Sequence, residues 1–156
     1  LKKFPVLGIF LRHYFQWDDE NNYNIAKKNG FKKYEKKLEG CYFQYAKIDN
    51  YQHGIHDYFK YLKYGFGRTT DQLCFLIRKG KISREKAIKI AKKNDFKFLK
   101  SYMGKDIKNI LSEIGISVRE YIQICDKFTN KKIFKCDKNG KLIKDRSNNL
   151  IRIFYP

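Results

Sequence analysis

Apolar residues in the middle of the chain recur at intervals of three and four, which is the spacing of one face of an α-helix. In residues 52–64 the recurring set is Ile55, Tyr58, Phe59 and Leu62. The pattern predicts a helix over this range. We expect it to end at Gly65, because glycine adopts the backbone conformations that other residues avoid at such an end.

Two more helices are predicted after this turn. Thr69 or Thr70 can cap the first, which should end at Gly80. Ser83 can cap the second, in which Glu85 lies in the first turn, where the helix dipole favours an acid. The predicted inward-facing residues are Leu73, Leu76 and Ile77 in the first helix, and Ala87, Ile88 and Ala91 in the second.

Residues 4–10 form a short apolar run with β-branched members, which favours a buried strand leading into an aromatic loop up to Trp17. A buried strand needs neighbours, and the later segments are mostly helical in pattern. The chain also begins at Leu1 rather than Met. We therefore expect partner strands upstream of Leu1.

The remaining segments complete the predicted order of elements. Asp18 and Asp19 should provide an acidic cap for a short helix that closes at Gly30, and residues 34–51, which show no period, are predicted to be a long loop. Further helices are expected over 106–114 and 117–128. Asn139-Gly140 predicts the turn of a small hairpin near the C-terminus. We identify no internal repeat and no flexible linker.

The charge of the chain is strongly positive, with 35 Lys and Arg against 16 Asp and Glu, a net of +19. Nucleic acid is one partner that such a charge attracts. However, 28 of the cations are Lys and only 7 are Arg, and phosphate-reading surfaces favour the planar Arg side chain. This argues for solvated lysine-rich surfaces and against nucleic acid. With no secretory signal and no apolar run of about 18 residues, we expect a cytoplasmic protein without a membrane span.

Residues 65–71 combine two glycines, a helix start, Arg68 and the hydroxyls of Thr69 and Thr70. Free amides at a helix start together with a cation suit an anion such as phosphate or pyrophosphate. The structural alternative is that these residues only cap the helix and that Arg68 pairs with Asp71 at helical spacing. Both interpretations stay open on the sequence alone.

Other polar residues are weaker candidates for a site. His56 and Asp57 are candidates for contacts with a polar substrate, whereas His53 and His56 lack the third ligand that a metal site needs. Trp17 and Asp18 follow the predicted strand, a position where α/β proteins bind ligands, although they can equally pack and cap. We predict no metal site.

Several segments together resemble the N-acetyl sugar amidotransferases, bacterial enzymes of lipopolysaccharide O-antigen and flagellin-glycan sugar biosynthesis. They are HYFQWDD at 13–19, GIHDYFKYLKYGFGRTTDQ at 54–72 and IRKGKISREKAI at 77–88. KNILSEIGISVREYIQICDKFTNKKIF at 108–134 is similar to the helices at the C-terminal end of these enzymes. The resemblance spans nearly the whole chain, and its specificity lies in the segments occurring together in this order.

The resemblance implies a mainly helical α/β fragment, the C-terminal part of an adenine-nucleotide alpha-hydrolase-like fold of the PP-loop ATP-pyrophosphatase group. Residues 1–17 would end the nucleotide-binding sheet, 18–130 would be helical, and 131–156 would form a hairpin and tail. The phosphate loop of the family, Ser-Gly-Gly-x-Asp-Ser, does not occur in this sequence. The N-terminal PP-loop half is therefore absent, and we expect the fragment alone to be inactive.

The implied reaction converts a sugar acetamido group to an acetamidino group. ATP, with Mg²⁺, adenylates the amide oxygen, and ammonia from a separate glutaminase subunit then displaces AMP. The resemblance assigns contacts with the nucleotide or pyrophosphate to Arg68, Thr69 and Thr70. It leaves His56, Asp57, Lys63, Trp17 and Asp18 as candidates for binding the N-acetylated sugar, and the catalytic residues unknown.

Two functions of other classes remain as alternatives. The first is a basic nucleic-acid-binding module that uses the scattered Lys, Tyr and Phe side chains. The second is a helical docking domain that binds the ammonia-supplying partner and has no catalysis of its own.

Overall fold

The computed structural model of the protein describes residues 7–95 and 97–154, with the side chain of Arg12 left out. The chain divides into two compact units, Leu1–Lys32 and Lys33–Pro156. Helices dominate, and the described residues contain one small sheet of two antiparallel strands. In this part of the chain, no helix has the length and apolar character that crossing a bilayer requires.

The first unit corrects the predicted strand over 4–10. Residues 7–10 form no strand, and Leu7 and Phe10 are 84% and 88% exposed, while residues 4–6 lie outside the described range. A strand is stable only where neighbouring backbone accepts its hydrogen bonds, and the described residues offer it no pairing partner. A short 3-10 helix follows at Leu11–His13.

The helix of the first unit agrees with the prediction. It is α1, Asp19–Lys28. The Asp18 carboxylate accepts hydrogen bonds from the amides of Glu20 and Asn21, which satisfies donors that a helix start leaves free. Gly30, with φ of 91°, follows its C-cap residue Asn29. The structure therefore confirms the predicted acidic N-cap of α1 and the glycine after its C-terminal end.

The second unit contains five helices in its described part. They are α2, Gln52–Tyr64; α3, Arg68–Arg78; α4, Arg84–Asn94; α5, Ile107–Ser112; and α6, Val118–Phe128. Ser83 caps α4 as predicted, and Ser117 forms a reciprocal capping box with Glu120 at the start of α6. The cap predicted for α3 at Thr69 or Thr70 is wrong, because Gly67 is its N-cap residue.

One hairpin was not predicted. Strands β1, Ser101–Tyr102, and β2, Lys105–Asp106, are joined by Met103 and Gly104, both with positive φ. Two-residue turns of this kind match the twist of the strands that they connect. Strands of two residues show no alternating pattern, so sequence periodicity does not reveal them.

The C-terminal hairpin is present and is part of a larger arrangement. Its backbone pairs Cys136 with Leu142, and further antiparallel bridges join Phe134 to Arg152 and Lys144 to Leu150. At each turn an aspartate carboxylate, Asp137 or Asp145, accepts hydrogen bonds from the amides two and four residues later. Residues 137–143 and 145–151 thus form a short repeated turn unit, which corrects the expectation of no internal repeat.

The main core lies around α2, α5, α6 and the C-terminal bridges. Its buried members include Tyr61, Leu62, Tyr121 and Phe134. The predicted loop over 34–51 contains no regular element, yet it contributes Leu38 and Cys41 to this core. A second cluster, built on Leu73, Leu76 and Ala87, holds α3 against α4. Packing of these faces supplies most of the stability that short helices lack alone.

The close approach of α2 to the small hairpin generates a prediction. A methyl group added at Gly54 would lie 2.6 Å from Cδ2 of the buried Tyr102 ring. We expect Gly54→Ala to destabilise the protein by about 1–3 kcal/mol in urea unfolding, because overpacking outweighs the gain in helix propensity.

The control for this prediction removes the Tyr102 ring. In a Tyr102→Ala background, the Gly54→Ala change should cost nothing or increase stability by up to about 1 kcal/mol. An equal loss in both backgrounds would show that the Tyr102 ring is not the cause.

Candidate functional site

The start of α3 is held by a carboxylate from a distant part of the chain. Asp95, which follows α4, accepts hydrogen bonds from the amides of Gly67 at 3.1 Å, Thr69 at 3.0 Å and Thr70 at 2.9 Å. The Thr70 hydroxyl donates a fourth, at 2.5 Å. A helix start binds anions through its free amides. Here an internal anion occupies that position.

Asp95 is buried, with 5% of the residue exposed. Burial raises the pKa of its carboxyl above the usual range, and the hydrogen bonds from Thr70, Gly67 and Thr69 offset this effect only in part. A methyl group at Gly67 would lie 2.7 Å from Asp95 Oδ1. Glycine at this position therefore lets the carboxylate approach the helix.

A second carboxylate, from α2, binds the side chain that opens α3. Asp57 accepts hydrogen bonds from Arg68 Nε at 3.1 Å and Arg68 Nη2 at 2.8 Å, a bidentate pair. Burial raises the pKa of Asp57, but the hydrogen bonds and charge of Arg68 outweigh it and hold the pKa below the usual range. The pKa of Arg68 is correspondingly raised. Both groups are charged at neutral pH.

Arg68 is therefore engaged mainly across two helices. Its Nη1 is 3.9 Å from Asp71 Oδ2, a longer contact within α3. The Asp71 carboxylate also binds the ammonium of Lys60 on α2. The alternative pairing with Asp71 that the sequence left open is thus secondary to the pairing with Asp57.

Asp95 and the Asp57–Arg68 pair border the same cleft, which has a volume of about 510 Å³. We call it the basic cleft. Four exposed lysines lie in its lining: Lys37, Lys93, Lys97 and Lys100. The acidic residues of the lining, besides the Arg68-bound Asp57, are Glu39 and Asp95. Four lysines against two carboxylates leave an excess of two positive charges.

The basic cleft also presents aromatic and polar groups. Tyr58, Tyr61 and Phe98 contribute ring surface, and Tyr58 meets Phe98 edge to face with centroids 5.6 Å apart. Ser101 and Asn149 contribute polar side chains, which bond Glu39 and the Phe98 amide respectively. Apolar surface with a few polar groups and a basic border is suited to a polar, negatively charged organic ligand.

The structure brings two of the predicted site residues together in this cleft, Arg68 and Asp57. Thr69 is fully buried, and its hydroxyl donates to the Gly40 carbonyl at 3.0 Å. The amides of Thr69 and Thr70 are both bound to Asp95. Contact of these residues with pyrophosphate stays a prediction, and a phosphate at their amides would have to displace the Asp95 carboxylate.

Two other predicted residues lie on α2 but outside the cleft lining. His56 has a side chain that is 70% exposed, and its Nδ1 lies 3.1 Å from Asp57 Oδ1. Lys63 places its ammonium 5.2 Å from the centroid of the Phe128 ring. Sugar binding by His56 and Lys63 also stays a prediction.

Trp17 and Asp18 belong to the first unit. Trp17 Nε1 donates to Asp19 Oδ1 at 3.0 Å, and Asp18 caps α1. Their proposed contact with substrate is not tested by these local interactions. His53, the other histidine weighed for a metal, pairs with Asp49 at 2.9 Å, and the described residues contain no group of three or more His, Cys, Asp or Glu placed to hold a metal.

No sequence pattern singles out Asp95 or the lysines of the cleft. The segment around Asp95 is a polar run with no periodic signal, and its contacts with α3 span 25 to 28 residues. The lysines resemble the many others on the surface until the fold places them around one cleft. Only the glycine at position 67, next to a helix start, indicated close approach by another group.

Comparison with known proteins finds one family. The family described as LPS biosynthesis protein WbpG-like, C-terminal domain, matches residues 22–147. This match includes the basic cleft residues named above except Asn149. No curated protein matches the sequence.

Asp95 should contribute strongly to stability. Asp95→Asn leaves one acceptor oxygen for four donors, so we expect a loss of about 2–4 kcal/mol in urea unfolding. The matched control is Asp106→Asn, because Asp106 is an exposed cap that accepts one hydrogen bond from Lys108. Asn caps as well as Asp there, and the change should stay within about 0.5 kcal/mol. Equal losses in the two variants would contradict the role of Asp95.

The Asp57–Arg68 pair should give stability a defined pH dependence. Arg68→Ala removes the two guanidinium hydrogen bonds from the buried Asp57 carboxylate and should cost about 3 kcal/mol at neutral pH. Since Arg68 holds the folded-state pKa of Asp57 below 3.8, the contribution is complete above pH 3.8 and is lost as the pH falls through that lower pKa. Urea unfolding of both proteins across this range measures the difference.

The control for this measurement is Arg119→Ala on the exposed side of α6, which should change stability by less than about 0.5 kcal/mol. A loss in Arg68→Ala that stayed constant down to strongly acidic pH would show that ionised Asp57 is not its source.

Proposed function

The chain belongs to the WbpG-like family of LPS biosynthesis proteins, as its C-terminal domain, and from this we propose that it is part of an ATP-dependent N-acetyl sugar amidotransferase. The family places the protein in LPS biosynthesis. The finer activity rests on the resemblance of segments 54–72 and 77–88 to these enzymes. Segment 54–72 includes Asp57 and Arg68, the ion pair in the wall of the basic cleft.

The proposed overall reaction replaces an amide oxygen by nitrogen. The acetamido oxygen of the sugar bonds to the α-phosphorus of ATP, and pyrophosphate leaves. Ammonia then adds to the activated carbon, and AMP leaves with the former amide oxygen, so that the sugar retains an acetamidino group. A glutaminase subunit is the proposed source of the ammonia, and the reaction is proposed for the cytoplasm.

The start of α3 offers no free amides to a nucleotide phosphate. The amides at the start of α3 are bound to Asp95, and no cluster of three acidic or other ligating side chains is placed to hold a metal ion in this part of the chain. We therefore derive no step of adenylation from residues of this domain. Binding of ATP and its metal is assigned to the PP-loop half of the proposed enzyme.

The proposed role of this domain is to bind the sugar substrate in the basic cleft. The observation that carries the proposal is the excess of lysine around a cleft whose wall holds the Asp57–Arg68 pair. The lysines suit a negatively charged substituent on the sugar. Tyr58 and Phe98 supply ring surface for the sugar body. The ion pair keeps α2 and the start of α3 in fixed positions, which preserves the shape of the cleft.

The test uses full-length protein that contains this domain, supplied with ATP, Mg²⁺, ammonium and N-acetylated sugars, singly and as their phosphates. We expect release of AMP and a product whose mass reflects exchange of oxygen for NH. Lys93→Glu with Lys97→Glu should raise KM for the sugar by about tenfold or more, because the cleft loses its positive charge. The matched control is Lys86→Glu with Lys89→Glu, the same charge change at exposed positions outside the cleft.

The two parts of the proposal fail differently. Absence of AMP and of the mass change with every N-acetylated sugar would contradict the amidotransferase activity. Activity in which both double variants have the same KM would keep the activity and remove the basic cleft as the substrate site.

A further inference from the structure

A second cavity also borders the first turn of α3, at Thr70. It has a volume of about 300 Å³ and runs between α3 and α4; we call it the α3–α4 groove. Its floor is apolar, formed largely by Leu73, Ile77, Ala87, Ile88 and Ala91. Tyr64 and Phe66 add partly exposed rings at one end. None of these residues belongs to the basic cleft.

The border of the α3–α4 groove is positively charged. Arg84, Lys92 and Arg152 lie in its lining, and no Asp or Glu is among the described residues that line it. Its other polar members are few, and the Thr70 hydroxyl is already bound to Asp95. The groove therefore offers apolar contact along its length and cations at its border.

The cations are distributed unevenly. Asp95 ties the end of α4 to the start of α3, so Lys92 lies at that end of the groove. Arg152 lies at the same end, since its Nη2 is 3.4 Å from the position of a Cβ at Gly65. Arg84 is two helical turns away at the start of α4, roughly 12 Å along the axis. One end thus holds two cations beside a continuous apolar floor.

From this arrangement we propose that the α3–α4 groove is a binding site for a small amphipathic anion. The ligand class is a single carboxylate, or a comparable anionic head group, on a hydrocarbon body. The head group lies between Lys92 and Arg152, and the hydrocarbon covers Leu73, Ile77 and Ile88. Burial of the hydrocarbon supplies affinity in proportion to its area, and the two cations select the charge.

Decanoate, used below its micelle concentration, is the probe, and the full chain is the protein. We expect saturable one-to-one binding by calorimetry, and no such binding of decyltrimethylammonium, which has the same chain and the opposite charge. A second readout is Cys74, which lines the groove. Decanoate should slow its alkylation by N-ethylmaleimide, while Cys136, of similar partial exposure but outside the groove, should react at an unchanged rate.

Two variants separate the site from general surface charge. Lys92→Glu should weaken decanoate binding by about tenfold or more, whereas Lys89→Glu, on the same helix but outside the groove, should not weaken it beyond about twofold. Cys74→Phe fills the groove and should abolish binding. Circular dichroism establishes that each variant is folded.

Several results would overturn the proposal. They are equal binding of the cationic amphiphile, equal weakening by Lys92→Glu and Lys89→Glu, or full binding by folded Cys74→Phe. Binding to vesicles of phosphatidylglycerol without binding of free decanoate would also overturn it, because a membrane surface and not a small ligand would then be the partner. None of these measurements depends on amidotransferase activity.

Discussion

The carboxylate of Asp95 joins two helices that are separate in sequence, since it follows α4 and accepts four hydrogen bonds from the first residues of α3 and the Gly67 amide. Other parts of the second unit depend on this contact. It places Arg68 where Asp57 of α2 can bind it with two hydrogen bonds. Three helices, α2, α3 and α4, are thereby held around one cleft by two buried carboxylates.

The same contact joins residues that line two different cavities of the described chain. Asp95 lies in the lining of the basic cleft, and its partner Thr70 lies in the lining of the α3–α4 groove. The first cavity is rich in lysine and polar groups, and the second is apolar with cations at its border. The Asp95–Thr70 hydrogen bond thus joins a residue of a polar cavity to a residue of an apolar one.

The sequence predicted the structural features that depend on residues close together in the chain. The caps at Asp18 and Ser83 and the glycine at the end of α2 act within a few residues, so the sequence predicted them and the structure confirms them. The Asp95 contact was not readable, because it joins residues 25 to 28 positions apart. Burial of Leu38 in a loop without period also depends on tertiary packing alone.

Apolar composition by itself was misleading at 7–10. Such a run favours a strand only where backbone partners exist, and these residues are exposed and unpaired with any described strand. In the candidate site, the residue pattern and then the resemblance to amidotransferases indicated Arg68 and Asp57, and the structure shows them bound to each other. The lysines around them are ordinary surface residues by pattern, and only the fold gathers them.

Amide hydrogen exchange at the start of α3 tests the central claim most directly. Nuclear magnetic resonance can follow the amides of Gly67, Thr69 and Thr70 individually. If Asp95 holds them as described, they should exchange as slowly as the interior amides of α3 at Leu73 and Leu76, although a helix start without such a partner leaves its first amides free. Exchange of these three amides at the rates of an unprotected chain would contradict the account.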